Sequence, residues 1–192
     1  MTYKIILDTP ATLVEYRKIP IAFWVTSKLR VVAVDKGLAG LQLIKEPVSP
    51  PYLKNYDAHD SVLDWSKRWD ISNWAIFLAV SNSLYIGGAA VAWKSPGVSM
   101  LEERDDLAVL WDIRVAASHR GQGIGTALFH YAVQWATSKG CTRLKSETQN
   151  INVPACRFYA NQGCILSAID MHAYPDLPHE VQLIWSKPLF EL

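Results

Sequence analysis

The sequence predicts a mixed α/β (α+β) fold in a single domain. Three observations lead there. Runs of strand length, rich in β-branched and aromatic residues, recur along the chain, as in "WAIFLAV" and "LAVLWDIRVA". A glycine-rich turn in "ASHRGQGIGTALF" leads straight into apolar residues at helical spacing. The elements then follow one another as β-β-β-α-β-α-β-β, with no internal repeat, low-complexity tract or flexible linker.

Taken in order, residues 3–8 read as a short strand, and "TLVEYRK" as a helical turn ahead of Pro20. "IAFWVTSKLRVVAV" is extended. "GLAGLQLIKEPVSPPYLK" ends in a proline cluster that must be loop or edge, because proline donates no ladder hydrogen bond. Residues 55–72 are polar and studded with tryptophan, a short helix or an ordered loop. "WAIFLAV" and "YIGGAAVAWK" form two strands joined by the hairpin-like "SNSL", and "LAVLWDIRVA" is a third long strand. Ile124, Leu128, Tyr131, Ala132 and Trp135 recur at helical spacing up to Gly140, the stop signal. "TRLKSETQ" is a strand, and "VPACRFYANQG" a helix with Pro154 in its first turn and Gly163 at its end. "CILSAIDMHAY" and "EVQLIWSKPL" close the sheet.

Composition narrows the function. Half of the residues are hydrophobic and 19% are charged, the balance of a packed soluble protein rather than a disordered one. A net charge of +1, with no basic stripe, gives no case for nucleic acid or an anionic membrane. The apolar runs are strand length, and Asp8 interrupts the N-terminal one too early for a signal peptide. Cys141, Cys156 and Cys164 form no close pair or metal spacing, nor do the histidines, so no metal is expected and a cytoplasmic location is. Two stretches, "NYDAHDSVLD" and "LEERDD", concentrate Asp57, Asp60, Asp64, Glu102, Glu103, Asp105 and Asp106. They are either a solvated acidic surface or a site that attracts a cation.

The glycine loop carries the sharpest signal. A glycine-rich turn entering a helix presents unpaired backbone N–H groups and the positive end of the helix dipole, a natural phosphate site. A Walker A loop needs Gly-Lys-Ser/Thr, but Thr126 follows Gly125 directly; the dinucleotide fingerprint needs a third glycine where Thr126 stands. What remains is Arg/Gln-x-x-Gly-x-Gly/Ala, filled by Arg120, Gly123 and Gly125.

That pattern resembles the acetyl-CoA-binding motif of the GCN5-related N-acetyltransferases (GNAT). The family's Asn-x-x-Ala-x-x-x-Tyr followed by a glycine is matched by Asn152, Ala155, Tyr159 and Gly163. A fuller resemblance, to the streptothricin acetyltransferase branch, runs through "EPVSPPYLK", "LWDIRV", "ETQNINVPACRFYANQGC" and "AYPDLPHEVQLIWSK". Two positions depart from that branch: Arg114 stands where an acid is common, and Cys164 where phenylalanine often follows the glycine.

The resemblance implies a mostly antiparallel, twisted sheet flanked by helices and splayed at the acetyl-CoA strand. Residues 1–72 would form the acceptor-side portion and 73–192 the acetyl-CoA-binding core. The amides of Gly121, Gln122, Gly123, Ile124, Gly125 and Thr126 would hold the pyrophosphate, with Arg120 beside it. The pantetheine arm would pair with the backbone of Ile113, Arg114 and Val115, where an N–H polarises the thioester carbonyl. Asn152 would cap its helix or contact coenzyme A next to Ala155, and Tyr159 would protonate the departing thiolate.

The acceptor poses a proton problem. An amine with a pKa of about 10.4 is neutral in roughly one molecule per thousand near pH 7.4, a deficit of about 4 kcal/mol that a carboxylate base reduces. Asp112 is the first candidate and Glu147 the second, each equally at home in a salt bridge or a substrate contact. Tyr174 and Glu180 are acceptor contacts by resemblance, His172 and His179 candidates for the acceptor mouth, and Trp65 and Trp69 candidate pocket walls. The expected reaction is direct acetyl transfer in a ternary complex to a cationic small-molecule amine. A streptothricin-like antibiotic, and hence antibiotic resistance, is the first example. A protein lysine, a polyamine or a catalytically silent coenzyme-A sensor are the alternatives. A monomer and a homodimer both remain open.

Overall fold

The computed structural model describes residues 2–58 and 60–190. Backbone pairing places seven strands in one sheet, ordered β1-β4-β5-β6-β7-β9-β8, and two in a separate ribbon, β2-β3. The strands are β1 (Lys4–Asp8), β2 (Phe23–Ala33), β3 (Leu41–Lys54), β4 (Ala75–Ser81), β5 (Leu84–Ala92), β6 (Leu107–Val115), β7 (Arg143–Gln149), β8 (Ile165–Asp170) and β9 (Gln182–Pro188). The helices are α1 (Leu13–Tyr16), α2 (Trp65–Arg68), α3 (Ile124–Ser138) and α4 (Val153–Asn161). β1, β4, β5 and β6 pair antiparallel in sequence, whereas β6 and β7, joined through α3, pair in parallel. The sheet is thus mixed and mostly antiparallel, as the sequence predicts.

Contacts group the chain into two compact units. The first comprises Met1–Ala22, Asn55–Ser146 and Ser186–Leu192; the second comprises Phe23–Lys54 and Glu147–Trp185.

In the first unit, β4 and β5 meet through Asn82 and Ser83, both at positive φ. That is the conformation of the tight two-residue hairpin turn whose twist matches the strands. β5 carries adjacent glycines for a steric reason. A Cβ on Gly88 would lie 2.5 Å from Cε2 of Tyr16, and one on Gly87 would lie 3.0 Å from Cγ2 of Ile124. Successive strand residues point to opposite faces, so the pair lets α1 approach one face and α3 the other. On the α1 side the core gathers Tyr16, Ile19, Trp65, Trp74, Ile76 and Leu78. On the other side α3 buries Ile124, Leu128, Phe129, Ala132 and Ala136. Of the residues at helical spacing, Ile124, Leu128 and Ala132 are buried, whereas Tyr131 is exposed and Trp135 half-buried. Both instead flank the helix and meet aromatic rings, Phe77 at 6.0 Å and Trp93 at 6.1 Å.

In the second unit, the proline-rich run is strand rather than loop. β3 continues through Pro47, Pro50 and Pro51, pairing antiparallel with β2, and the register slips between Val25 and Ser27 to absorb the extra residues. The strand expected over 164–174 ends at Asp170, whose Oδ1 accepts from the His172 N–H at 2.8 Å and turns the chain. Asn150 ties this unit together. Its backbone bonds the N–H of Leu29 and the carbonyl of Val181, and its side chain bonds the Leu29 carbonyl and the Val181 N–H.

Candidate active site

The first unit holds the glycine loop and the strand before it. β6 opposes β5 with Ala90 facing Asp112 and Val91 facing Leu110, so Trp111 is an extra, bulged residue. The parallel ladder to β7 covers only Leu107–Leu110 with Arg143–Ser146. The bulge and the end of that ladder coincide, and residues 111–115 lie beyond it.

After β6 the chain makes a single turn and enters α3 through Gly121 at φ +74° and Gly123 at φ +80°. Other residues rarely tolerate that conformation, which is why glycine stands at both positions. A Cβ at either glycine would meet no atom within 4 Å, so the space in front of the loop is open. Gly123 is the N-cap of α3, and among the described residues no side chain caps that end. The first-turn amides of a 15-residue helix, with the positive end of its dipole, therefore face this space. Arg120 braces the turn by donating from Nε to the Val115 carbonyl and from Nη2 to the Ala22 carbonyl, each at 3.0 Å. Gln122 donates to the Ser118 carbonyl. An uncapped helix end behind an open glycine turn suits a phosphate-bearing ligand.

Asp112 does not stand alone on β6. Arg114 grips it with both arms of its guanidinium, Nε at 2.8 Å and Nη2 at 2.7 Å, and the Tyr16 hydroxyl donates to Oδ1 at 2.5 Å. Arg114 also reaches Asp57 at 3.0 Å and the Ile19 carbonyl at 3.1 Å. The Arg114 and Asp112 side chains are only 2% and 8% exposed, against 29% for Asp57. Burial alone would lower the Arg114 pKa, but the charge and hydrogen bonds of Asp112 outweigh it and the group stays protonated. Burial first, and Asp112 second, push the Tyr16 hydroxyl well above its ordinary pKa, so it serves as a donor. Any ligand contact from Arg114 thus falls to its backbone. The Asp112–Arg114 contact has a sequence signal, because residues i and i+2 share one face of a strand. Tyr16 and Asp57 have none, being far away in sequence.

The second unit holds the other candidates. Glu147 on β7 accepts from the Tyr174 hydroxyl at 2.6 Å and from Nε2 of Gln182 at 2.8 Å. Gln182 escaped sequence reasoning, whereas Tyr174 was named for a different role. Asn152 caps α4, its Oδ1 accepting from the Ala155 N–H at 3.2 Å. Tyr159 is buried on α4, with its ring 6.4 Å from that of Trp185. The Trp185 Nε1 is buried without a hydrogen-bond partner among the described residues, an orphaned donor beside the candidate acid. Glu180 pairs with Lys54 at 2.5 Å, both nearly buried, so its carboxylate is already engaged. A groove of about 460 Å³ runs between the ribbon and α4, with Lys45 and Arg157 among its lining residues. Neither makes an ion pair among the described residues, so this groove is a poor match for a cationic acceptor.

The remaining candidates resolve into structure. Among the seven clustered acids only Glu103 lacks an ion pair within the described residues. The acidic runs are therefore paired surfaces rather than a spare negative field. Trp65 is a core residue, and Trp69 packs on Trp74 and Trp111 at 6.3 and 4.7 Å. All three cysteines are buried thiols. His172 and His179 are exposed.

Comparison with known proteins agrees with this geometry. The family model described as "Acetyltransferase (GNAT) family" matches residues 42–164. The chain is 32% identical over 143 residues to streptothricin acetyltransferase A of Bacillus subtilis (strain 168), covering 73% of this chain and 76% of that one. Among solved structures, nourseothricin acetyltransferase superposes with a TM-score of 0.77 at 25% identity, covering 99% of this chain and all of the other. A Bacillus anthracis str. Ames protein assigned as a streptothricin acetyltransferase, solved with acetyl coenzyme A, gives a TM-score of 0.77 at 26% identity over the full length of both. With the bulged strand, the glycine loop and the capped α4 all present, this chain belongs to the GNAT acetyltransferase family.

Proposed function

We propose that this protein, as one catalytic domain over 1–192, transfers the acetyl group of acetyl coenzyme A to a primary amine of a cationic small molecule, a streptothricin-type antibiotic being the first choice. The observation that carries the reading is the open glycine loop at the uncapped end of α3, directly after the bulge in β6. Gly121–Thr126 would hold the pyrophosphate through their amides, and Ile113–Val115 would offer backbone to the pantetheine arm. Acetyl coenzyme A supplies an activated thioester carbon when bound. Asn152 and Ala155 would lie against the same ligand, and Tyr159 would return a proton to the departing thiolate. The relatives' names support the acceptor class, and buried thiols are at home in a reducing cytoplasm.

The base is better sought in Glu147 than in Asp112. Both Asp112 oxygens are occupied by a buried guanidinium, and Oδ1 also by Tyr16, so neither is open to an incoming amine. Glu147 is half-buried, and among the described residues its side-chain donors are the neutral Tyr174 and Gln182, with no cation paired to it. Asp112 then serves as the anchor that seats Arg114.

The test is release of coenzyme A thiol with streptothricin, polyamines and lysine peptides as acceptors. Saturable release with streptothricin is the expected result. Release only with a peptide or polyamine would move the acceptor class, and acetyl-CoA binding without release from any amine would make the protein a sensor.

A further inference from the structure

We propose that Tyr174 and Gln182 are positioning residues that lock the Glu147 carboxylate in one orientation for proton removal from the acceptor amine; this rests on the reading of Glu147 as the base. Each donor takes a different oxygen, Tyr174 reaching Oε1 at 2.6 Å and Gln182 reaching Oε2 at 2.8 Å. A carboxylate held at both ends cannot rotate about its terminal torsion, which is otherwise broad. Gln149 fixes the direction of the first bond. Its Nε2 donates to the Tyr174 oxygen at 2.9 Å, so the hydroxyl hydrogen is aimed at Glu147.

The brace is built from three segments. Glu147 and Gln149 stand two apart on β7 and so share a face, Gln182 opens β9, and Tyr174 lies in the connection between β8 and β9. The far end of that connection is itself secured by the Glu180–Lys54 pair and by the bonds of Asn150 to Val181. Both donors are uncharged. A cation in either place, as Arg114 is for Asp112, would itself be the counter-ion of the carboxylate, whereas two neutral donors orient it and leave that part to the ammonium of the acceptor. An ionised carboxylate offers about four acceptor sites, so two donors leave room for the incoming proton. In the step, an N–H bond of the ammonium breaks, its proton passes to a Glu147 oxygen, and the nitrogen keeps the electron pair that forms the new bond to the acetyl carbon. The carbon–sulfur bond then breaks, its electrons leave with the coenzyme A thiolate, and that thiolate takes up a proton. Tyr174 and Gln182 keep their own protons throughout.

The experiment compares Tyr174→Phe, Gln182→Met and Glu147→Gln by acetyl-CoA-dependent thiol release with streptothricin, from pH 7 to 9. Removing a hydrogen bond to a charged group is expected to lower kcat about 10- to 100-fold at pH 7 for either brace variant. That loss should shrink as pH rises toward the amine's own pKa, about 10.4, because a neutral amine needs no base. Acetyl-CoA affinity should be unchanged. An unchanged kcat in both brace variants, or a loss equal at every pH, would overturn the proposal. The Glu147→Gln variant separates the two layers. If it retains full activity, the reading of the base fails; if it loses activity while both brace variants keep theirs, only the brace fails.

Discussion

Arg114 shows what a single side chain settles in this protein. It joins Asp112, Asp57 and the Ile19 carbonyl from a position 2% exposed. Replacing one partner of a buried ion pair strands the other without its counter-charge, at a cost of about 3–5 kcal/mol. Arg114→Met should therefore lower unfolding stability by about that amount in a urea titration, with acetyl-CoA affinity in the folded fraction retained. Stability within about 1 kcal/mol of the parent would mean that the cluster is not a structural anchor. Tyr159→Phe makes the opposite kind of prediction, a fall in kcat with acetyl-CoA affinity preserved; unchanged turnover in the thiol assay would remove its role as acid. At this scale the sequence was readable where the signal is local, as for the positive φ of Gly121 and Gly123 and the helix cap made by Asn152. It was not readable where partners come from afar. Nothing near Asp112 announces Tyr16, and nothing near Glu147 announces Gln182.

At the scale of elements, the adjacent glycines of β5 set how closely α1 can pack. Gly88→Ala puts a methyl group 2.5 Å from the Tyr16 ring, which must shift. Overpacking of this kind costs about 1–3 kcal/mol and should appear as a lower urea midpoint; an unchanged midpoint would show that α1 yields freely. Asn152→Ala removes the cap of α4 and should cost about 1 kcal/mol in the same measurement. The long strands and both principal helices were legible because their periodicity and stop signals are local, Gly140 and Gly163 both taking positive φ. The buried face of α3 was legible at Ile124, Leu128 and Ala132, whereas Tyr131 and Trp135 satisfy the helical spacing but pack at its flanks. The length of β3 was hidden by its prolines, which sequence alone allows as loop or as edge.

For the molecule as a whole, the acidic runs were legible as composition and illegible as electrostatics, since partners such as Lys145 for Glu102 and Arg114 for Asp57 are distant in sequence. The buried thiols give a pH signature. Burial pushes Cys141 up to about 11 and Cys156 up to about 12, from an ordinary value near 9. The folded chain then binds more protons than the unfolded chain between those values, so stability falls with rising pH there. The contribution is intact below pH 9 and is lost as pH climbs through 11 and 12. Urea midpoints taken from pH 8 to 11 should decline, and Cys156→Ala should flatten the decline; an identical slope in that variant would assign the effect to other groups.

The measurement that tests the account most directly is a calorimetric titration of acetyl coenzyme A into the protein and into Gly123→Val, with folding of the variant checked by circular dichroism. A side chain at position 123 both strains a backbone at φ +80° and fills the open space before α3. The account predicts saturable one-site binding to the parent and none to the variant. Equal affinity in the two would mean that the glycine loop does not hold the ligand, and the acetyl-transfer reading would lose the observation on which it stands.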